Sequence, residues 1–135
     1  MDVSLTAVYA KFPTHGDCVQ YLESLRWVEG PRCPHCRSER YTPLANENRY
    51  HCNGCNTNYS VMVKTVFKST RVDLQKWFLI IAHMISAKKE PSARKLAGII
   101  GVNKNTACYM AMRVRVAMPK DINFFLKIAD EVTRQ

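Results

Sequence analysis

The chain has 135 residues, 47% of them hydrophobic, and its 20 Lys and Arg against 11 Asp and Glu leave a net charge of +9. That suffices for one domain or two very small ones with a modest core, and it is too apolar for wholesale disorder. The longest apolar stretch, residues 77–84, is broken by His83 and falls far short of the roughly 18 residues a membrane span needs, so no transmembrane helix is expected.

Residues 1–30 read as an N-terminal helical segment. The first ten residues carry Asp2 and neither a cationic start nor a long apolar run, which argues against a secretory signal. A reducing compartment, the cytoplasm and nucleoid of a prokaryote, is the resulting expectation. Over residues 17–27, Val19, Leu22 and Leu25 recur at helical spacing behind Thr14 and Asp17, a candidate capping pair. Cys18 in this helix has the role of a small apolar packing residue.

Residues 31–67 carry the strongest motif. Cys33-Pro34-His35-Cys36 and Cys52-Asn53-Gly54-Cys55 are two C-x2-C pairs separated by 15 residues. This spacing suits one tetrahedral zinc ion, each short knuckle presenting two thiolates to the metal. A disulfide framework is the alternative, but disulfides are rare in reducing compartments, and no βαβ pattern supports a redox site. His35 and His51 stand beside the thiolates, where the neighbouring cysteines already take the metal-facing direction. Residues 40–44 and 49–51 read as short strands, and 57–66 as a further strand with Tyr59, Val61 and Val63 alternating on one face. Two knuckles on short strands make a zinc ribbon whose apolar core is too small to fold without its metal. Four protein ligands leave no open position, so the expected cofactor is one structural Zn2+ and not a hydrolytic one.

The charge is concentrated beyond the cysteines. Residues 1–56 are balanced, residues 57–120 carry 12 basic residues against Asp73 and Glu90 alone, a net +10, and residues 121–135 amount to −1. Clustered positive charge suits a polyanion such as nucleic acid; a solvated face kept for solubility is the plain alternative. Residues 70–118 read as helices. Residues 72–87 form an apolar core helix, Lys88-Lys89-Glu90-Pro91 interrupts it, Ser92 caps a helix over 93–100, and Gly101 ends that helix before another over 104–118. Two short helices joined by a tight glycine-containing turn are a helix-turn-helix. Leu96, Ala97, Ile100, Val102, Ala107, Met110 and Val114 fall inward. Lys104, Asn105, Thr106, Cys108, Tyr109, Met112 and Arg113 fall on or near the outer face, although Cys108 by itself reads as a packing residue like Cys18. Asn105 can present its amide edge to adenine, Lys104 suits guanine or phosphate, and Thr106 a phosphate or a thymine methyl. Arg94, Lys95, Arg113 and Arg115 are phosphate candidates. The alternative is an ordinary helical hairpin with a solvated face.

Phe12-Pro13-Thr14, Tyr21-Leu22-Glu23-Ser24-Leu25-Arg26-Trp27, the first cysteine pair, Tyr59-Ser60-Val61, Thr65-Val66-Phe67, Lys76-Trp77-Phe78 and residues 96–102 together resemble the N-terminal region of transposases of the IS1595 group, with an ISXO2-like catalytic domain. The resemblance covers residues 12–118. It implies that Cys33, Cys36, Cys52 and Cys55 hold zinc and that residues 104–113 read DNA at transposon ends. Arg37 departs from the glycine usual after the first knuckle, and Lys64 from one usual before the threonine. Family members continue into a ribonuclease-H-like domain with two metal ions, which the 17 residues after 118 cannot hold. Asp73, Glu90, Asp121, Asp130 and Glu131 read as caps and solvated charges, and residues 119–135 as a short helical tail.

The expected fold is therefore small α+β, a zinc ribbon followed by a helical helix-turn-helix domain. The expected function is sequence-specific binding of double-stranded DNA without catalysis, as a regulator or truncated transposase, with a homodimer or a catalytic partner in trans as possible associates. Two other readings stand beside it: an adaptor docking a separately encoded nuclease or polymerase, and an RNA-binding ribbon stacking bases on Tyr41, Tyr50 and Tyr59.

Overall fold

The computed structural model describes residues 4–44, 49–62, 65–68, 71–87, 89 and 91–134. In chain order the elements are helices α1 (Leu5–Lys11) and α2 (His15–Arg26), strands β1 (Tyr41–Leu44), β2 (Arg49–Cys52) and β3 (Asn58–Tyr59), helices α3 (Leu74–Ser86), α4 (Ala93–Ile100) and α5 (Lys104–Ala117), a single 3-10 turn (Met118–Lys120) and helix α6 (Ile122–Thr133). The fold is small α+β. The chain forms two compact units, residues 1–15 with 70–135, and residues 16–69. These boundaries differ from those read in the sequence: α1 joins the helical unit, α2 belongs with the ribbon, and residues 119–135 carry a core helix in place of a tail.

The helical unit is built around α3, whose Leu74, Trp77, Phe78, Leu79, Ile80, Ile81 and Ala82 are all buried. A helix buried over most of its circumference, with Lys76 and His83 half-buried on the remaining face, needs several partners, and α1, α4, α5 and α6 supply them. Val8 and Phe12 close one flank, the Phe12 ring meeting Phe78 edge-on at 5.3 Å. Phe125, Ile128, Ala129 and Val132 recur at three and four along α6 and bury its inner face. Gln75, also buried, is satisfied by donating from Nε2 to the Phe12 carbonyl at 2.8 Å. The Lys11 ammonium donates to the Glu131 and Arg134 carbonyls and so caps the C-terminus of α6.

The α4–α5 hairpin follows the capping chemistry of its sequence. Ser92 Oγ accepts from the Lys95 amide at 3.2 Å, and Asn103 Oδ1 from the Thr106 amide at 2.7 Å, each satisfying a donor of the first turn. Gly101 ends α4 at φ 71°, ψ 42°, a left-handed conformation open to glycine at little steric cost, while the Gly101 and Val102 amides return to the Ala97 carbonyl. The turn is therefore three residues long, Gly101 to Asn103.

In the ribbon unit the strands form an antiparallel sheet in the order β1-β2-β3. Tyr41 pairs with Cys52 and Leu44 with Arg49; Tyr50 pairs with Tyr59 and His51 with Asn58. The last strand is shorter than the expected 57–66. Beyond Tyr59 the chain turns at Val61 and Met62, the Ser60 hydroxyl accepting from the Met62 amide at 3.3 Å. Val63 and Lys64 lie outside the described residues, as do Lys88 and Glu90.

Candidate metal centre and nucleic-acid face

Each cysteine pair begins a tight loop, and the two loops are built alike. The Cys33 amide donates to Ser38 O and the Arg37 amide to Cys33 O; correspondingly, the Cys52 amide donates to Thr57 O and the Asn56 amide to Cys52 O, all between 2.9 and 3.1 Å. This winding turns both thiols of a knuckle to the same side. It also forces the residue after the second cysteine into the left-handed region, with φ 63° at Arg37 and 60° at Asn56. Gly54 lets the loops approach: a Cβ there would lie 3.1 Å from Ser38 Cβ and 3.5 Å from Cys36 Sγ.

The four sulfurs meet between the knuckles, all within 4.8 Å of one another. Cys33 Sγ lies 3.7 Å from Cys55 Sγ, and Cys36 Sγ 3.4 Å from Cys52 Sγ. Thiolates bound to one tetrahedral zinc stand about 3.8 Å apart, given a Zn–S bond of about 2.3 Å, so the donor set fits the ion. Among the described residues this is the one such group of three or more potential ligands. It forms a site for one structural Zn2+. His51 is turned away, its Nδ1 2.8 Å from Asn58 Oδ1, and His35 is exposed.

Backbone amides prepare the site for thiolates. The Gly54 and Cys55 amides point at Cys52 Sγ at 3.3 and 3.4 Å, and the His35 amide at Cys33 Sγ at 3.4 Å. The Cys55 amide leads in lowering the Cys52 thiol to about 6 against the opposing effect of burial, with Cys36 and the Gly54 amide assisting. At Cys36 the Ser38 amide works in the same direction, but the Cys52 sulfur, burial and the two remaining sulfurs together push the thiol up to about 12. Four thiolates this close repel one another, and a divalent cation is what lets them coexist.

Helix α2 forms the wall behind the ribbon. Trp27, just past its end, meets Tyr50 and Tyr59 edge-on at 5.6 and 5.8 Å, the Tyr50 hydroxyl donates to Glu23 at 2.8 Å, and Arg26 donates to Val61 O at 2.6 Å. Burial first, then the nearby Cys33 and Cys52, raises the Tyr59 hydroxyl to about 12. Tyr50 and Tyr59 are thus ribbon packing, leaving Tyr41 as the exposed member of the three once considered for base stacking. This use of α2 was missed in the sequence, where the only signal was a tryptophan standing just ahead of the first knuckle.

In the helical unit, α5 buries Ala107, Met110, Ala111 and Val114 and turns its other side outward. Lys104, Asn105, Cys108, Tyr109 and Met112 are exposed, so Cys108 is not the packing residue its small size suggested. Thr106 and Arg113 are half-buried, and Arg115 and Val116 are exposed further along. The Arg113 guanidinium donates to the Tyr109 hydroxyl at 2.7 Å and lies 5.5 Å from its ring centre. Arg94 and Lys95 are exposed on α4, the other helix of the hairpin.

Residues 13–58 match the model of the transposase zinc-ribbon domain. Over this segment the chain is similar to transposase zinc ribbons. An uncharacterized protein in transposable element ISH50 of Halobacterium salinarum is 35% identical over 88 residues, which cover 63% of this chain and 29% of that protein. The chain thus corresponds to less than a third of the relative's length. No solved structure matches. The matched segment begins ahead of α2, in keeping with the place of that helix in the ribbon unit, and it includes all four cysteines while carrying Arg37 where the resemblance led to a glycine. No helix among the described residues is long and apolar enough to cross a membrane.

Proposed function

We propose that this chain is a sequence-specific double-stranded DNA-binding protein, in which zinc folds one unit and the helix-turn-helix of the other reads the duplex at transposon-like sites. The observation that carries the reading is the outer face of α5, where polar and apolar side chains form a central strip with cations on both flanks. Such a helix suits a major groove, whose floor carries base edges and whose walls carry phosphates. The transposase ribbon and the ISH50 relative support the same reading. The proposed role is recognition without catalysis. Among the described residues the carboxylates form no cluster able to hold a metal; Asp73 accepts from the Tyr9 hydroxyl at 2.5 Å, and Glu131 pairs with Arg134 at 3.7 Å.

Fluorescence anisotropy on labelled duplexes tests this. Lys and Arg contacts release counterions, so affinity falls linearly on logarithmic axes as salt rises, by roughly several hundredfold between 50 and 200 mM for about five phosphate contacts. An isotherm unchanged over that range would overturn the reading. Asn105→Ala relaxes preference at one base, whereas Arg115→Ala weakens all sequences alike.

One observation favours the adaptor as a second reading. Ile122 and Leu126 are exposed, and Ile122 lines a groove of about 430 Å³ with Met84, Arg115, Met118 and Pro119. Co-purification with a defined nuclease or polymerase, with no shift of any duplex, would select it.

A further inference from the structure

Of the seven large apolar side chains exposed among the described residues, three stand on the outer side of α5: Tyr109 at 49%, Met112 at 50% and Val116 at 59% exposure. At about 100° per residue, Asn105, Tyr109, Met112 and Val116 fall within roughly 60° of one another, while Lys104 and Arg115 lie to one side and Arg113 to the other. We infer that α5 recognises thymine by its 5-methyl group, through Met112 and the ring edge of Tyr109. The inference rests on the duplex-binding reading above and adds the chemistry of the base.

Two arguments identify the occupant of this stripe. A second copy laid on the same face would bring Lys104, Arg113 and Arg115 against their own kind, whereas a duplex sets phosphates against both cationic flanks. On the groove floor the thymine methyl is the distinctive apolar feature among the base edges. Tyr109 is steadied for such a contact, because its hydroxyl accepts from the Arg113 guanidinium at 2.7 Å, which fixes the ring with its edge outward while the O–H keeps its capacity to donate. Met112 is unbranched and adapts its shape to a small apolar group. Asn105 lies one turn earlier on the same strip and suits adenine, so the preferred site is A·T-rich at neighbouring steps.

The test uses duplexes selected by the zinc-loaded 135-residue chain from a random pool and resynthesised with deoxyuridine in place of each thymidine in turn. At a contacted position the lost methyl weakens binding roughly fourfold. That penalty disappears in Met112→Ala or Tyr109→Ala; both sites are exposed, and zinc content with thermal unfolding verifies the fold of each variant. Equal affinity for thymine and uracil at every position, with salt-sensitive binding retained, overturns the methyl contact alone. A uracil penalty that survives in both variants overturns its assignment to these residues. Absence of any duplex binding removes the underlying reading and this inference with it.

Discussion

Arg37 and Asn56 hold equivalent places in the two knuckles, and their φ values of 63° and 60° lie where a side chain is strained. Asparagine tolerates this conformation through its short polar group, whereas arginine has no such compensation. Arg37→Gly is therefore expected to stabilise the zinc-loaded ribbon by roughly 0.5–1 kcal/mol, the relief of strain exceeding the added chain entropy. A melting temperature that stays level or falls would contradict this. The sulfurs allow a second expectation, about protons. Each thiol must be deprotonated to bind zinc, so acid favours the metal-free form and affinity falls as pH falls. Sulfurs this close cannot all ionise without a cation between them, so part of the set holds protons in the metal-free ribbon and loses them to solvent when zinc binds. Zinc added at pH 7 should then release protons into weakly buffered solution, which an indicator dye would register.

At the scale of elements, the boundaries written in local chemistry were legible in the sequence. Ser92 and Gly101 mark the ends of α4, and Asn103 the start of α5, because a cap or a left-handed glycine acts within a single turn. Asn103→Ala should cost about 1 kcal/mol in thermal unfolding of the helical unit, since it strands the Thr106 amide. What depends on distant partners was harder to read. Tyr59 and Val61 alternate as a strand would, yet pairing stops at Tyr59, because alternation reports which side chains are buried and not whether the backbone has a neighbour. Residues 119–135 read as a helix but without a partner, so a core element looked like a tail. The four ligands were legible because their spacing is itself the geometry of the site; the wall made by Glu23, Arg26 and Trp27 was not, since its contacts span 23 to 35 residues.

For the whole molecule, each unit contains one of the two tryptophans, Trp27 in the ribbon unit and Trp77 in the helical unit. The helical unit has a full apolar core around α3, whereas the ribbon's central cluster is Cys33, Cys52 and Tyr59, with Trp27 and Tyr50 against it. Chelation of zinc should therefore change the emission of Trp27, measured in a Trp77→Phe variant, and leave that of Trp77, measured in a Trp27→Phe variant, nearly unaltered. Equal changes in both would show that the metal supports the helices as well.

The likeness of the two knuckles also bears on loop closure. Their closing hydrogen bonds join residues no more than five apart, so each half of the metal site is local in sequence, and only the joining of the two halves spans a longer stretch of chain. Bringing together the ends of the 15-residue stretch between them costs about 3 kcal/mol of chain entropy, small beside the roughly 10–16 kcal/mol of structural zinc binding. Doubling that stretch would add only about 0.6 kcal/mol. Loop closure thus sets little limit on the length of the interval between the cysteine pairs, and the limit comes instead from the β1–β2 register and the contacts of Tyr50 within it.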